Sequence, residues 1–188
     1  MGMKSDCQKL SLLPSAYSPR YAHSLTVQIS AKHQKDNGLL DIYVDADACP
    51  VKQEVCKVAK RYRMNVTFVS NSRMRVPDQE GVKLIVVDGQ LDAADDFIAE
   101  NVTKDDIVVT ADIPLASRCI KSGAHVIAPT GRLFSIDNIG EALASRNLMS
   151  ELREAGSITG GPPPFQKRDR SRFLQSLDQI VQSIRRTL

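Results

Sequence analysis

From Asp41 onward, short apolar runs alternate with stretches of helical periodicity. Extended segments are expected over Asp41 to Asp45, Asn65 to Val69, Lys83 to Val87, Asp106 to Thr110 and Ala124 to Ala128, because each is a brief block of branched or aromatic residues between polar breakers. Behind the first of them, Pro50 suits an opening helical turn, where its missing N–H has no partner to lose, and Val51, Val55, Val58, Ala59 and Tyr62 recur at helical spacing. Further helices are expected from about Leu91 to Asn101, from Pro114 to Lys121 with Gly123 as its stop, and from Ile139 to Ala155 ended by Gly156. A last one, from Ser171 to Arg186, carries Phe173, Leu174, Leu177, Ile180, Val181 and Ile184 on one face that should dock on the domain. Alternation at this spacing predicts an α/β fold, a three-layer sandwich whose central, mainly parallel sheet is covered on both faces.

Residues 1–38 break the pattern. They are rich in Ser, Gln and Lys, contain Pro14, Pro19 and Gly38 as breakers, and show only a weak alternation at Leu25-Thr26-Val27-Gln28-Ile29. A poorly ordered N-terminal extension is expected there, followed by a single domain over residues 39–188 with its helices at the C-terminus. Few acids and many serines also give the extension some transit-peptide character, against which stand its single Arg and the lack of a convincing amphipathic helix. A translation start assigned too far upstream accounts for it equally well.

A chain of 188 residues that is 42% hydrophobic can bury one good core. No apolar stretch approaches the roughly 18 residues of a membrane span, so no membrane partner is expected. The cysteines at 7, 49, 56 and 119 form no C-x-x-C pair and no zinc-like spacing with the histidines, which predicts reduced, mostly buried thiols and a cytoplasmic location. The formal charge of +3 is too small to announce a nucleic-acid binder, but its distribution is uneven. Acids dominate between Asp41 and Asp112, whereas the tail carries Lys167, Arg168, Arg170, Arg172, Arg185 and Arg186 against only Asp169 and Asp178. An acidic rim beside a basic tail fits a polyanion held through metal and arginine; a solvated helix face is the plain alternative.

The candidate chemistry lies where the acids fall. Asp45 and Asp47 flank one residue at the end of the first apolar run, so both side chains of an extended segment point the same way. Asp88, with Asp92, Asp95 and Asp96 behind it, follows the third run, and Asp112 follows the fourth. In a helix opening near Leu91, Asp92 and Asp95 share a face while Asp96 points elsewhere. If the runs are neighbouring parallel strands, these clusters share the carboxyl ends, where open α/β sheets place their ligand sites. Crowded carboxylates raise each other's pKa unless a cation sits among them, and hard oxygen ligands suit Mg²⁺, Mn²⁺ or Ca²⁺. Helix capping competes at Asp47 and Asp112, and Glu54, one turn into the first helix, reads as a surface residue. Asn71, Arg73 and Arg75, on a polar loop from Ser70 to Gly81 leaving the same rim, are candidates to hold phosphate, as are Lys167, Arg168 and Arg170.

Taken in order, D-A-D-A-C-P at Asp45 to Pro50, L-D-A-A-D-D-F-I at Leu91 to Ile98 and D-I-V-V-T-A-D-I-P-L-A at Asp106 to Ala116 resemble the YaiI/YqxD family. So do R-V-P at Arg75 to Pro77, T-G-G-P at Thr159 to Pro162 and Q-K-R-D-R at Gln166 to Arg170. The resemblance runs from Asp41 to the C-terminus. It implies a PIN-like nuclease fold and cleavage of RNA or DNA with one or two Mg²⁺ or Mn²⁺ ions. On that pattern Asp45, Asp95 and Asp112 are the catalytic acids and metal ligands; Asp47 and Asp92, which have no secure equivalents in it, are expected to help hold the metal. Two other classes stay open. The D-x-D also resembles haloacid dehalogenase phosphatases, although Cys49 stands where a hydroxyl residue is expected and the chain leaves little room for a cap; a non-catalytic nucleic-acid- or nucleotide-binding module is the third.

Overall fold

The computed structural model of the protein describes residues 40–47, 49–87, 92–157 and 163–187. The N-terminal extension, Asp88 and the Thr159–Pro162 motif lie outside them. In chain order the elements are β1 (Asp41–Asp45), α1 (Lys52–Tyr62), β2 (Asn65–Ser70), β3 (Val82–Val86), α2 (Ala93–Asn101), β4 (Ile107–Val109), α3 (Ile113–Lys121), β5 (His125–Ile127), β6 (Leu133–Phe134), α4 (Ile136–Glu154) and α5 (Lys167–Thr187).

Among the described residues the strands form one six-stranded sheet in the order β3-β2-β1-β4-β5-β6, parallel throughout except for the antiparallel β5–β6 pair. Strand alternation divides the core into two layers. Ile42, Val44, Phe68 and Val109 pack with Val55 and Ala59 of α1 and with Phe173, Leu177 and Val181 of α5. On the opposite face Tyr43, Val69, Val108 and Val126 meet Ile98 of α2, Leu115 and Cys119 of α3, and Ala142 of α4. The architecture is therefore the expected three-layer α/β sandwich.

One strand and two helix starts depart from the sequence reading. β6 was not foreseen; with two residues it has no periodicity to detect. α4 begins at Ile136 rather than Ile139, because the Asn138 carboxamide oxygen accepts the Ser135 N–H at 3.0 Å, one arm of a capping box. α5 begins at Lys167 rather than Ser171, with the Asp169 carboxylate accepting the Gln166 N–H at 2.9 Å. Lys167, Arg168 and Arg170 consequently occupy its first turn.

Cross-links fix the direction of α5. Arg170 meets Glu54 at 2.9 Å and Arg61 meets Asp178 at 2.8 Å, while the Tyr62 hydroxyl donates to Asp178 at 2.9 Å. Pairing 54 with 170 and 61 with 178 means that α1 and α5 run parallel, and since α1 leaves the carboxyl end of β1, both helices start at that end of the sheet. Gly131, in the β5–β6 turn at the same end, lets α5 approach closely: its φ is +83°, and a Cβ there would lie 2.8 Å from the Arg172 carbonyl carbon.

Candidate active site

Strand order reverses between β1, whose chain continues outward to β2 and β3, and β4, which starts the other half of the sheet. Such a switch point opens a crevice beyond the strand carboxyl ends. Asp45 closes β1 on one side of it, and Asp112 follows β4 on the other. One buried hydroxyl links them. Thr110 Oγ1 donates to Asp45 Oδ2 at 2.9 Å and accepts the Asp112 N–H at 2.9 Å. Thr110 went unmarked in the sequence because it reads simply as the last residue of a strand; the T-A-D spacing was the available signal.

Asp112 holds two positions at once. Its Oδ1 accepts the Leu115 N–H at 2.8 Å and so caps α3, which is the competing capping role realised, while Oδ2 takes no donor among the described residues. Asp95, in the first turn of α2, is half-buried, and its carboxyl is pushed up to about 6, first by burial and then by the charges of Asp112, Asp45 and Asp92, with Arg118 opposing. Burial also raises Asp45, against the Thr110 hydroxyl, and the neighbouring Asp47 and Asp112 add to the rise. The three acids therefore share one electrostatic field. Asp92 is exposed at the N-cap of α2 with φ +68° and makes no capping bond, a left-handed conformation that Asp tolerates better than most residues.

Asp47 is brought to the rim but is differently employed. Its Oδ1 accepts the Ser70 hydroxyl and its Oδ2 the Asn71 N–H at 2.9 Å, so both oxygens clasp the loop after β2. It does not cap α1, whose N-cap, Val51, has no side-chain bond. Asn71 reaches the rim through this backbone contact. Arg73 and Arg75 are exposed farther along the loop, and they, Lys167 and Arg168 have no ion pair among the described residues. Asp96 is exposed and pairs with Arg118 at 2.7 Å.

One expectation changes, and one holds. Glu54 is buried, 2% exposed, and ion-paired to Arg170, because α5 covers the α1 face on which it stands. Arg170 accordingly spends one N–H on a protein carboxylate. Cys49, Cys56 and Cys119 are buried free thiols, and burial first pushes the Cys49 thiol up to about 11, so the cysteine beside the rim is a packing residue.

The donor chemistry suits a hard divalent cation: Asp45, Asp95 and Asp112 offer oxygens only, and burial, followed by the charges of neighbouring carboxylates, raises Asp45 and Asp95, the second of which a cation would relieve. Among the described residues no three acidic, His or Cys side chains already converge in ligating contact. No helix among them is long and apolar enough to cross a membrane.

Residues 43–183 match the family model described as "Uncharacterized BCR, YaiI/YqxD family". Similar proteins include a UPF0178 protein of Nitrobacter winogradskyi, 56% identical over 145 residues that cover 77% of this chain and 92% of the relative. Another, from Rhodospirillum centenum, is 53% identical over 152 residues, covering 79% and 99% respectively, and one from Rhodopseudomonas palustris is 54% identical over 150 residues, covering 80% and 95%. No solved structure matches. With a family match over most of the chain and relatives aligned along nearly their whole length, the protein belongs to the YaiI/YqxD family.

Proposed function

We propose that the rim is the active site of a metal-dependent phosphodiesterase acting on RNA or DNA, in the manner of PIN-like nucleases. The observation that carries this reading is that Asp45 and Asp112, joined through the Thr110 hydroxyl, stand on either side of the sheet's switch point and are both among the charges that raise Asp95. The basic first turn of α5 at the same end supports an anionic ligand. Asp45, Asp95 and Asp112 would hold Mg²⁺ or Mn²⁺, with exposed Asp92 able to contribute through water. When bound, such an ion polarises a phosphoryl oxygen and lowers the pKa of an attacking water. Thr110 fixes Asp45 and Asp112 relative to each other, Asp47 holds the loop bearing Asn71, Arg73 and Arg75 against the rim, and Lys167, Arg168 and Arg170 bind and orient the phosphate backbone.

Asp47 argues against the phosphatase reading. A general acid there must be free to swing to a leaving oxygen, and both its oxygens are engaged. A non-catalytic nucleic-acid-binding module is favoured by the lack of three ligating side chains in contact among the described residues. Incubating wild type and Asp45→Asn with a mixed RNA and DNA panel in Mn²⁺ separates these readings. Cleavage by wild type that the variant loses supports the nuclease; binding without turnover supports the binding module; turnover confined to phosphomonoesters overturns both.

A further inference from the structure

Arg170 differs from the other basic residues of the α5 first turn in being built into the fold. Its Nη1 donates to Glu54 Oε1 at 2.9 Å, and its guanidinium lies over the Phe165 ring at 5.5 Å from the centroid. Arg170 nevertheless keeps 43% of its side chain exposed, whereas Glu54 keeps 3%. Arginine carries five N–H donors, and one is used on a protein side chain here. The Glu54 carboxylate depends on this guanidinium: its Oε2 has no donor among the described residues.

Such a pair is poorly explained as fold stabilisation. Burying a carboxylate costs several kcal/mol that a single ion pair barely repays, and an apolar pair of similar volume often serves a core as well or better. What the arrangement does provide is direction. A long, flexible side chain is held over an aromatic ring by a buried anchor, with part of its N–H edge left exposed. That edge stands at the carboxyl end of the sheet, because Glu54 lies in the first turn of α1 directly after β1, and the Cys49 thiol between them feels both Asp45 and Glu54.

The geometry points to Glu54 as a positioning residue that fixes Arg170 as a rigid phosphate-binding fork beside the acidic rim, a role that rests on the phosphodiester reading above. Arginine's planar fork matches two oxygens of one phosphate, which a lysine cannot reproduce. Lys167 and Arg168, without such anchors, orient the phosphate backbone less tightly than Arg170 does.

The test is binding of short single-stranded RNA and DNA oligonucleotides to the full chain, read by fluorescence anisotropy across a salt series, with thermal melting alongside. Glu54→Gln should weaken binding about tenfold, although it removes a negative charge and plain electrostatics would strengthen the affinity for a polyanion. Arg170→Lys should lose a similar factor while keeping the wild-type salt slope, since the charge remains. The double variant Glu54→Gln/Arg170→Gln leaves no lone buried charge and should melt near wild type yet bind as weakly as either single variant; it carries the test if Glu54→Gln fails to fold. Glu54→Gln and Arg170→Lys proteins that bind at least as well as wild type would overturn the positioning role and leave the nucleic-acid reading standing. Wild-type protein that binds neither oligonucleotide overturns both.

Discussion

The two ends of the parallel sheet both carry buried or half-buried aspartates, and they treat them in opposite ways. At the amino end, Asp106 is fully buried and accepts the Thr103 N–H at 2.8 Å, the Thr103 hydroxyl at 2.9 Å and the Asp41 N–H at 3.4 Å, while Asp41 accepts the Asn65 carboxamide at 3.0 Å. Asp106 and Asp41 each accept from neutral donors, and the Lys83 ammonium lies in the field of Asp41. At the carboxyl end, burial first and then neighbouring carboxylates raise Asp45 and Asp95 from their ordinary value, with Asp112 acting on both. An acid on a strand end is thus no evidence of a site by itself; the supply of donors around it decides whether it braces the fold or waits for a cation. The amino end is saturated and structural, and the carboxyl end is short of positive charge.

The largest effect that should separate the two ends comes from Asp106→Ala. It strips the acceptor from two backbone N–H groups and a hydroxyl in a buried setting, and should cost about 3 kcal/mol or more in urea unfolding. A loss below about 1 kcal/mol would mean that the amino end is not the brace described. Thr110→Val comes next. It removes the hydroxyl joining Asp45 to the Asp112 backbone and should cost about 2 kcal/mol, while raising the Asp45 carboxyl further. Equal stability of that variant would remove the link on which the rim's geometry depends.

The smallest effect should have the opposite sign. Asp95 titrates near 6 in the folded protein against an ordinary 3.8, so its contribution to stability is fully present below about 4 and is lost as pH rises through about 6. Asp95→Asn should therefore leave the metal-free melting temperature nearly unchanged near about pH 4 and raise it by a few degrees near about pH 8. Destabilisation at the higher pH would show that Asp95 is a satisfied acid like those at the amino end.

Much of this was legible along the chain because it depends on local chemistry. The parallel strands announce themselves through runs such as Ile42-Tyr43-Val44 and Ile107-Val108-Val109, and the D-x-D and T-x-D spacings put Asp45 and Asp112 at their ends. What escaped detection depends on partners remote in sequence. Glu54 looks exposed on a helical wheel until α5 returns 116 residues later to cover it. Asp47 resembles a ligand or a cap until Ser70 and Asn71, 23 and 24 residues on, take its two oxygens. The α5 start was misplaced because Lys167 to Arg170 are too polar to show periodicity, although they lie at the rim.

The central claim is that the carboxyl-end acids form a cation site, and a metal titration of thermal stability tests it most directly. Mg²⁺ or Mn²⁺ at about a hundred times its dissociation constant should stabilise wild type by about 2.7 kcal/mol. The Asp45→Asn/Asp112→Asn variant should show no response to the ion, and a metal-free melting temperature at or above that of wild type. A wild-type melting temperature indifferent to both ions, or one that rises equally in wild type and variant, would contradict the account.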